Sequence, residues 1–133
     1  MLTAIPLLVI PFILFNLGLA AAPAEGGNFW QSELFAVPMM SGGVWAMTMA
    51  DALVVVALVL LFIEIMKSTR TSNRSIVDHV LSLFVFVAFL VEFLLVRGAA
   101  HPVFFTLMVI TLIDVLAGFS VSIRSAGRDL NVE

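Results

Sequence analysis

The chain contains no cysteine, which excludes disulfides, thiolate metal sites, iron–sulfur ligation and a cysteine nucleophile. Charge is scarce as well, at 11 % of residues, with six basic and nine acidic side chains. Six basic residues are too few for a nucleic-acid surface, and no glycine-rich loop of the kind that cradles phosphate is present. The only two histidines, His79 and His101, lack metal-ligand spacing with a second histidine, so neither a metal nor a haem cofactor is expected. Ser82, Ser120 and Ser122 have no positioned base, which leaves no catalytic nucleophile and favours a non-enzymatic role.

What is present is apolar sequence. Hydrophobic residues make up 62 % of the 133, and the mean hydropathy is +1.20. A soluble domain of this length needs a more polar surface. Four runs reach the roughly 20 residues required to cross a hydrocarbon core. They are Leu2 to Ala22, Val44 to Met66, Ile76 to Val96 and Val103 to Ile123. Together they use up residues 1–133, so one transmembrane helical domain is expected, of the all-α membrane class with four spans.

The first run carries Pro6, Pro11 and Asn16, and a kink near Pro11 follows from the missing donor. Its alanine-rich end resembles a signal cleavage site, but no Lys or Arg precedes the apolar stretch, and retention as a span is expected. Between the first and second spans, Asn28 and Gln31 have the spacing of a helix cap, followed by Phe29, Trp30, Leu34 and Phe35 up to Pro38. Aromatics around Glu33 suit the headgroup layer, which predicts a short interfacial helix. Ser75 and Asp78 form a capping box at the start of the third span. Gly98 to Pro102 makes a tight turn with proline at the first helical position, so spans three and four are antiparallel neighbours. Phe84, Phe86, Phe89 and Phe93 cover more than one side of the third span and read as lipid-facing or as a protomer contact. The tail from Ser125 onward reads as short and polar.

The basic residues set the orientation. Lys67, Arg70 and Arg74 lie between spans two and three, Arg124 and Arg128 lie in the tail, and Arg97 alone falls on the opposite side. The positive-inside rule then places both termini in the cytoplasm, with a bacterial inner membrane as the expected location.

Ionisable groups at membrane depth are the informative residues. Asp114 falls near the middle of the fourth span, Asp51 in the outer half of the second, and Glu92 about a turn from the outer end of the third. A central aspartate costs about 2.5–3.5 kcal/mol on insertion scales, so these groups should face protein rather than lipid. Burial disfavours a charged carboxyl, and a neutral or proton-sharing group is the expected state. The pattern Thr48-x-x-Asp51-x-Leu53 recurs as Thr111-x-x-Asp114-x-Leu116, placing a hydroxyl and a carboxyl on one helix face in each. Thr48, Asp51, Thr111, Asp114 and Glu92 are therefore the candidate proton or cation site. Interhelical hydrogen bonding is the structural alternative for the aspartates, and for Glu92 a rim pair with Arg97 is the expected role ahead of the site. Glu64 and Lys67 read as an interfacial pair. Gly118, a turn beyond Asp114, permits a close helix approach.

The resulting expectation is a small polytopic membrane protein that handles protons or cations through intramembrane carboxylates. Its partners would be the lipid bilayer and further copies of itself, or other membrane subunits. The rival expectation is a non-catalytic accessory subunit of a larger membrane complex.

Overall fold

The computed structural model describes residues 5–21, 29–68 and 74–132, with side chains described for 5–21, 29–67, 77–121 and 123. The chain is mostly helical: α1 (Val9–Ala20), α2 (Met49–Ser68), α3 (Arg74–Leu95) and α4 (Pro102–Val132). Two strands, β1 (Glu33–Pro38) and β2 (Val44–Thr48), form an antiparallel hairpin between α1 and α2. Single 3-10 turns at Phe29–Gln31 and Arg97–Ala99 complete the described elements.

Three helices are long and apolar enough to cross a membrane: Met49–Lys67, Val77–Leu95 and Pro102–Val121. At 1.5 Å per residue each reaches about 28–30 Å, the thickness of a hydrocarbon core. α1 has 12 residues and is shorter than a span. Half of the α4 span is buried, against 22 % of α2 and 17 % of α3. α4 is thus the central helix, and both α2 and α3 pack along it. Its start follows from the sequence as expected, with Pro102 at the first position after the Arg97–Ala99 turn. Its end does not, because the backbone stays helical from the polar tail through Val132.

An aromatic cluster closes the core. Phe104 of α4 lies 4.8 Å from Phe15 of α1 and 5.1 Å from Phe89 of α3, centroid to centroid, and all three are fully buried. Phe89 is therefore core rather than lipid-facing, whereas Phe84 on the same helix is 66 % exposed. Trp30 stacks on Phe15 and donates its indole N–H to the Phe15 carbonyl at 3.2 Å. Gly18 makes this possible, since a Cβ there would overlap the indole ring.

The interfacial helix expected up to Pro38 is replaced by the hairpin; Asn28, its expected cap, lies outside the described residues. Two glycines at 42 and 43 explain the difference. Gly42 has φ +92°, and the Met39 N–H donates to the Gly43 carbonyl at 2.7 Å, closing a turn that helix geometry cannot make. Phe35 and Trp45 then meet edge to face across the strands at 5.1 Å. The hairpin takes Val44–Thr48 from the expected second span, which begins as helix only at Met49. The Ser75 half of the expected α3 capping box also lies outside the described side chains.

Candidate functional site

The polar side chains expected to work together are dispersed over three places. Thr48 and Asp51 cap α2 reciprocally: the Thr48 N–H donates to Asp51 Oδ2 at 3.1 Å, and the Asp51 N–H donates to Thr48 Oγ1 at 3.2 Å. Asp51 is exposed in the first turn of α2, within the Met49–Lys67 span, and serves there as a cap. Removing a capping side chain costs about 1 kcal/mol. Thr48→Ala and Asp51→Ala are each expected to lower stability by about that amount, and the double variant by less than the sum. Thermal unfolding in detergent checks this, and strict additivity would show that the two bonds are independent.

Glu92 lies elsewhere. Its carboxylate accepts a hydrogen bond from Asn16 Nδ2 of α1 at 3.2 Å, in place of the expected pair with Arg97. Among the described residues the ion pair formed is Lys67 with Glu64. The two T-x-x-D matches also differ in geometry. Thr111 is buried in mid-helix and donates back to the Met108 carbonyl at 2.6 Å, whereas Thr48 stands at a helix start. Neither hydroxyl donates to its aspartate, so the shared pattern carries no shared structure.

Asp114 sits in company that its own helix pattern does not assign to it. Glu64 and Lys67 of α2, Asp78, His79 and Ser82 of α3, and Asp114 and Gly118 of α4 line one enclosed space of about 10 Å³. That is room for one water at most. Helix periodicity brings them together: Glu64 and Lys67, His79 and Ser82, and Asp114 and Gly118 are three or four apart, each pair on one helix face. Asp114 stands about 18 Å along α4 from Pro102 and about 15 Å from Arg124, the first basic residue beyond it. The cluster thus belongs to the half of the bundle nearer the basic end, the end that carries Lys67 and Arg74.

Each contact in the cluster has a cause. Asp114 is 6 % exposed, takes a hydrogen bond from the Ser82 hydroxyl, and feels Glu64 and Lys67 as opposite charges. Glu64 is itself buried, and its Oε1 accepts from Lys67 Nζ at 3.2 Å and from the Leu7 N–H at 2.7 Å. The second bond anchors the start of α1, and Lys67 Nζ reaches the Ile5 carbonyl at 3.4 Å as well. Gly118 supplies the space for His79: a Cβ there would stand 2.6 Å from the imidazole Nδ1. His79 Nε2 and Asp78 Oδ1 are buried atoms with no hydrogen-bond partner. His101 Nε2, at the opposite end of the bundle, is a third such atom.

A second polar depression, about 480 Å³, opens at the hairpin end between Trp30, Gln31, Thr48, Asp51, His101 and Thr106. His101 Nδ1 there accepts from the Val103 N–H at 3.1 Å and caps α4. No group of three His, Asp or Glu side chains arranged to hold a metal ion exists among the described residues. Compared with known proteins, the chain matches no family model, no curated protein and no solved structure.

Proposed function

We propose that this is a small polytopic membrane protein, oligomeric in the membrane, that handles protons or cations through the intramembrane carboxyl of Asp114. The observation that carries the reading is the burial of Asp114 within an apolar span, against Ser82 and beside the Glu64–Lys67 pair. A carboxyl at the centre of a spanning helix costs about 2.5–3.5 kcal/mol to insert. An interhelical hydrogen bond in membrane proteins returns on average about 0.6 kcal/mol. Packing alone does not offset that cost. The test is flux: wild-type protein in sealed liposomes should dissipate an imposed proton or cation gradient, and liposomes that stay silent to both would overturn the reading.

The alternative is a non-catalytic accessory subunit of a larger membrane complex. The hairpin favours it, because Leu34, Phe35, Val37, Val44 and Trp45 are all at least 40 % exposed. Native mass spectrometry of gently extracted protein separates the two readings. A single-species oligomer supports the first, and a stoichiometric foreign subunit supports the second.

The proposed topology has four crossings and both termini in the cytoplasm of a bacterial inner membrane. Two contacts support a crossing by α1 with its N-terminal extension. Leu7 is tied to Glu64 at the basic end of α2, and Leu19 packs against Gly98 in the turn at the opposite end. The five-to-one division of basic residues places the basic end inside. Single cysteines introduced at Ser72 and Gly27 should therefore behave oppositely in intact cells, with an impermeant thiol reagent labelling only the Gly27 site. The reverse pattern would invert the topology.

A further inference from the structure

We infer that the cargo of the Asp114 cluster is a proton rather than a metal cation, and that His79 passes it between Asp114 and water at the basic end. This rests on the proposal that Asp114 is a transport site. It adds the identity of the ion and a second residue on its route.

The geometry works against a metal. Calcium takes six to eight oxygen ligands and magnesium a near-octahedral shell that keeps several waters. A space of about 10 Å³ holds no such hydrated ion. The described side chains offer no three-ligand group for a dehydrated one. Glu64 is already engaged by Lys67 and by the Leu7 N–H, and the Lys67 ammonium stands in the wall of the same space. A metal cation entering there would meet a fixed positive charge and few free lone pairs.

A proton asks for one lone pair at a time, and the cluster has lone pairs without partners. His79 Nε2 and Asp78 Oδ1 are both buried and unbonded. His79 lies about one turn nearer the basic end of α3 than Ser82, and Gly118, which it faces, lies one turn nearer that end of α4 than Asp114. The imidazole is therefore placed between the carboxyl and the basic end. Its Nδ1 faces the bare backbone of Gly118, one turn from Asp114 on the same helix face. Histidine is the side chain whose ordinary titration spans neutral pH, and its two nitrogens let it accept on one side and donate from the other.

The route balances at each step. Hydronium gives its proton to the imidazole, so that one O–H bond breaks, one N–H bond forms, and the neutral ring becomes imidazolium. The imidazolium then releases the proton on its other nitrogen to the Asp114 carboxylate, directly or through the Ser82 hydroxyl. One N–H bond breaks, one O–H bond forms, and both groups end neutral. The charged and titratable groups around His79 are Asp78 on its own helix, Glu64 and Lys67 on α2, and Asp114 on α4.

Flux through liposomes containing the full chain is the first test, with internal pH, sodium and potassium each followed. Proton movement without sodium or potassium movement is the expected result. Flux of either metal ion would overturn this inference and leave the transport reading standing, whereas silence towards all three would overturn both. His79→Gln is expected to cut proton flux by about tenfold or more with the oligomer unchanged, and His101→Gln to leave it intact. Full flux in His79→Gln would remove the residue from the route. A second readout does not depend on how His79→Gln folds. In His101→Gln protein labelled with 15N-histidine, one imidazole remains. The pH at which its signals change should move when Asp114→Asn is added. Signals that ignore that change would show that the two groups do not exchange a proton, and would overturn the inference.

Discussion

Asp114→Asn is expected to fold and assemble as the wild type does and to lose its proton or cation flux, by about a hundredfold or more. Asparagine has the shape of aspartate and can still accept from the Ser82 hydroxyl, so the contact between α3 and α4 survives. What it cannot do is take up and release a proton or carry a negative charge. The variant therefore separates chemistry from packing. Asp114→Leu sharpens the separation, because replacing a buried polar group by an apolar one of similar size is often neutral or stabilising. Under the transport reading, Leu should be as inactive as Asn and at least as stable as the wild type. Under the accessory reading the wild type shows no flux, and Asn changes assembly with the partner little. Liposome flux, together with the oligomer observed by native mass spectrometry, decides between them. Full flux in Asp114→Asn would take this carboxyl out of the pathway.

The helices are legible in the sequence because their signals are physical and local. Long apolar runs, Pro102 after a short turn, and basic residues beyond Met66 each follow from the cost of placing backbone and charge in hydrocarbon. The hairpin is not, although Gly42 and Gly43 between two runs rich in Val, Phe and Trp are a turn signal. The Asn28–Gln31 spacing and the aromatic composition favour a helix when read alone, and cross-strand pairing appears only once the turn is closed. That one difference moves the site. Beginning the second span at Val44 instead of Met49 shifts its depth scale by about 7 Å. The shift moves Asp51 from well inside the expected span to the first turn of α2, where the structure uses it as a cap.

The companions of Asp114 escape a sequence reading for a different reason. Spacing within one helix shows which residues share a face, but the level at which two helices meet is set by the turn between them. Ser82 and Asp114 are equally far from Gly98 along the chain, and His79 and Gly118 nearly so. Antiparallel helices joined at that turn must bring each pair to the same height. Counting outward from Gly98 finds both. On α2, Glu64 and Lys67 face α4 across a second junction, and the sequence places them near the end of a span, where an exposed pair is the ordinary expectation. Burial of Glu64 depends on the start of α1 folding over it, which no local pattern announces.

Glu64→Leu is expected to destabilise the protein by about 3 kcal/mol, a larger loss than either capping substitution on α2 would cause. Two bonds end on Glu64 Oε1, from Lys67 Nζ and from the Leu7 N–H. Leucine satisfies neither. The ammonium is left without its carboxylate, and the turn that leads into α1 is left with an unmet Leu7 N–H. The loss sits at the low end for a broken buried pair because the Lys67 side chain is 21 % exposed and keeps some access to water. Most of it comes from the stranded cation, so Glu64→Leu combined with Lys67→Met should recover a substantial part, a coupling that a double-mutant cycle reads directly. The part not recovered measures the tie to α1. It should appear as faster proteolysis of the N-terminal segment in detergent, with α2, α3 and α4 still protected. A Glu64→Leu variant as stable as the wild type, with its N-terminal segment equally protected, would show that this buried pair does not hold α1 in place.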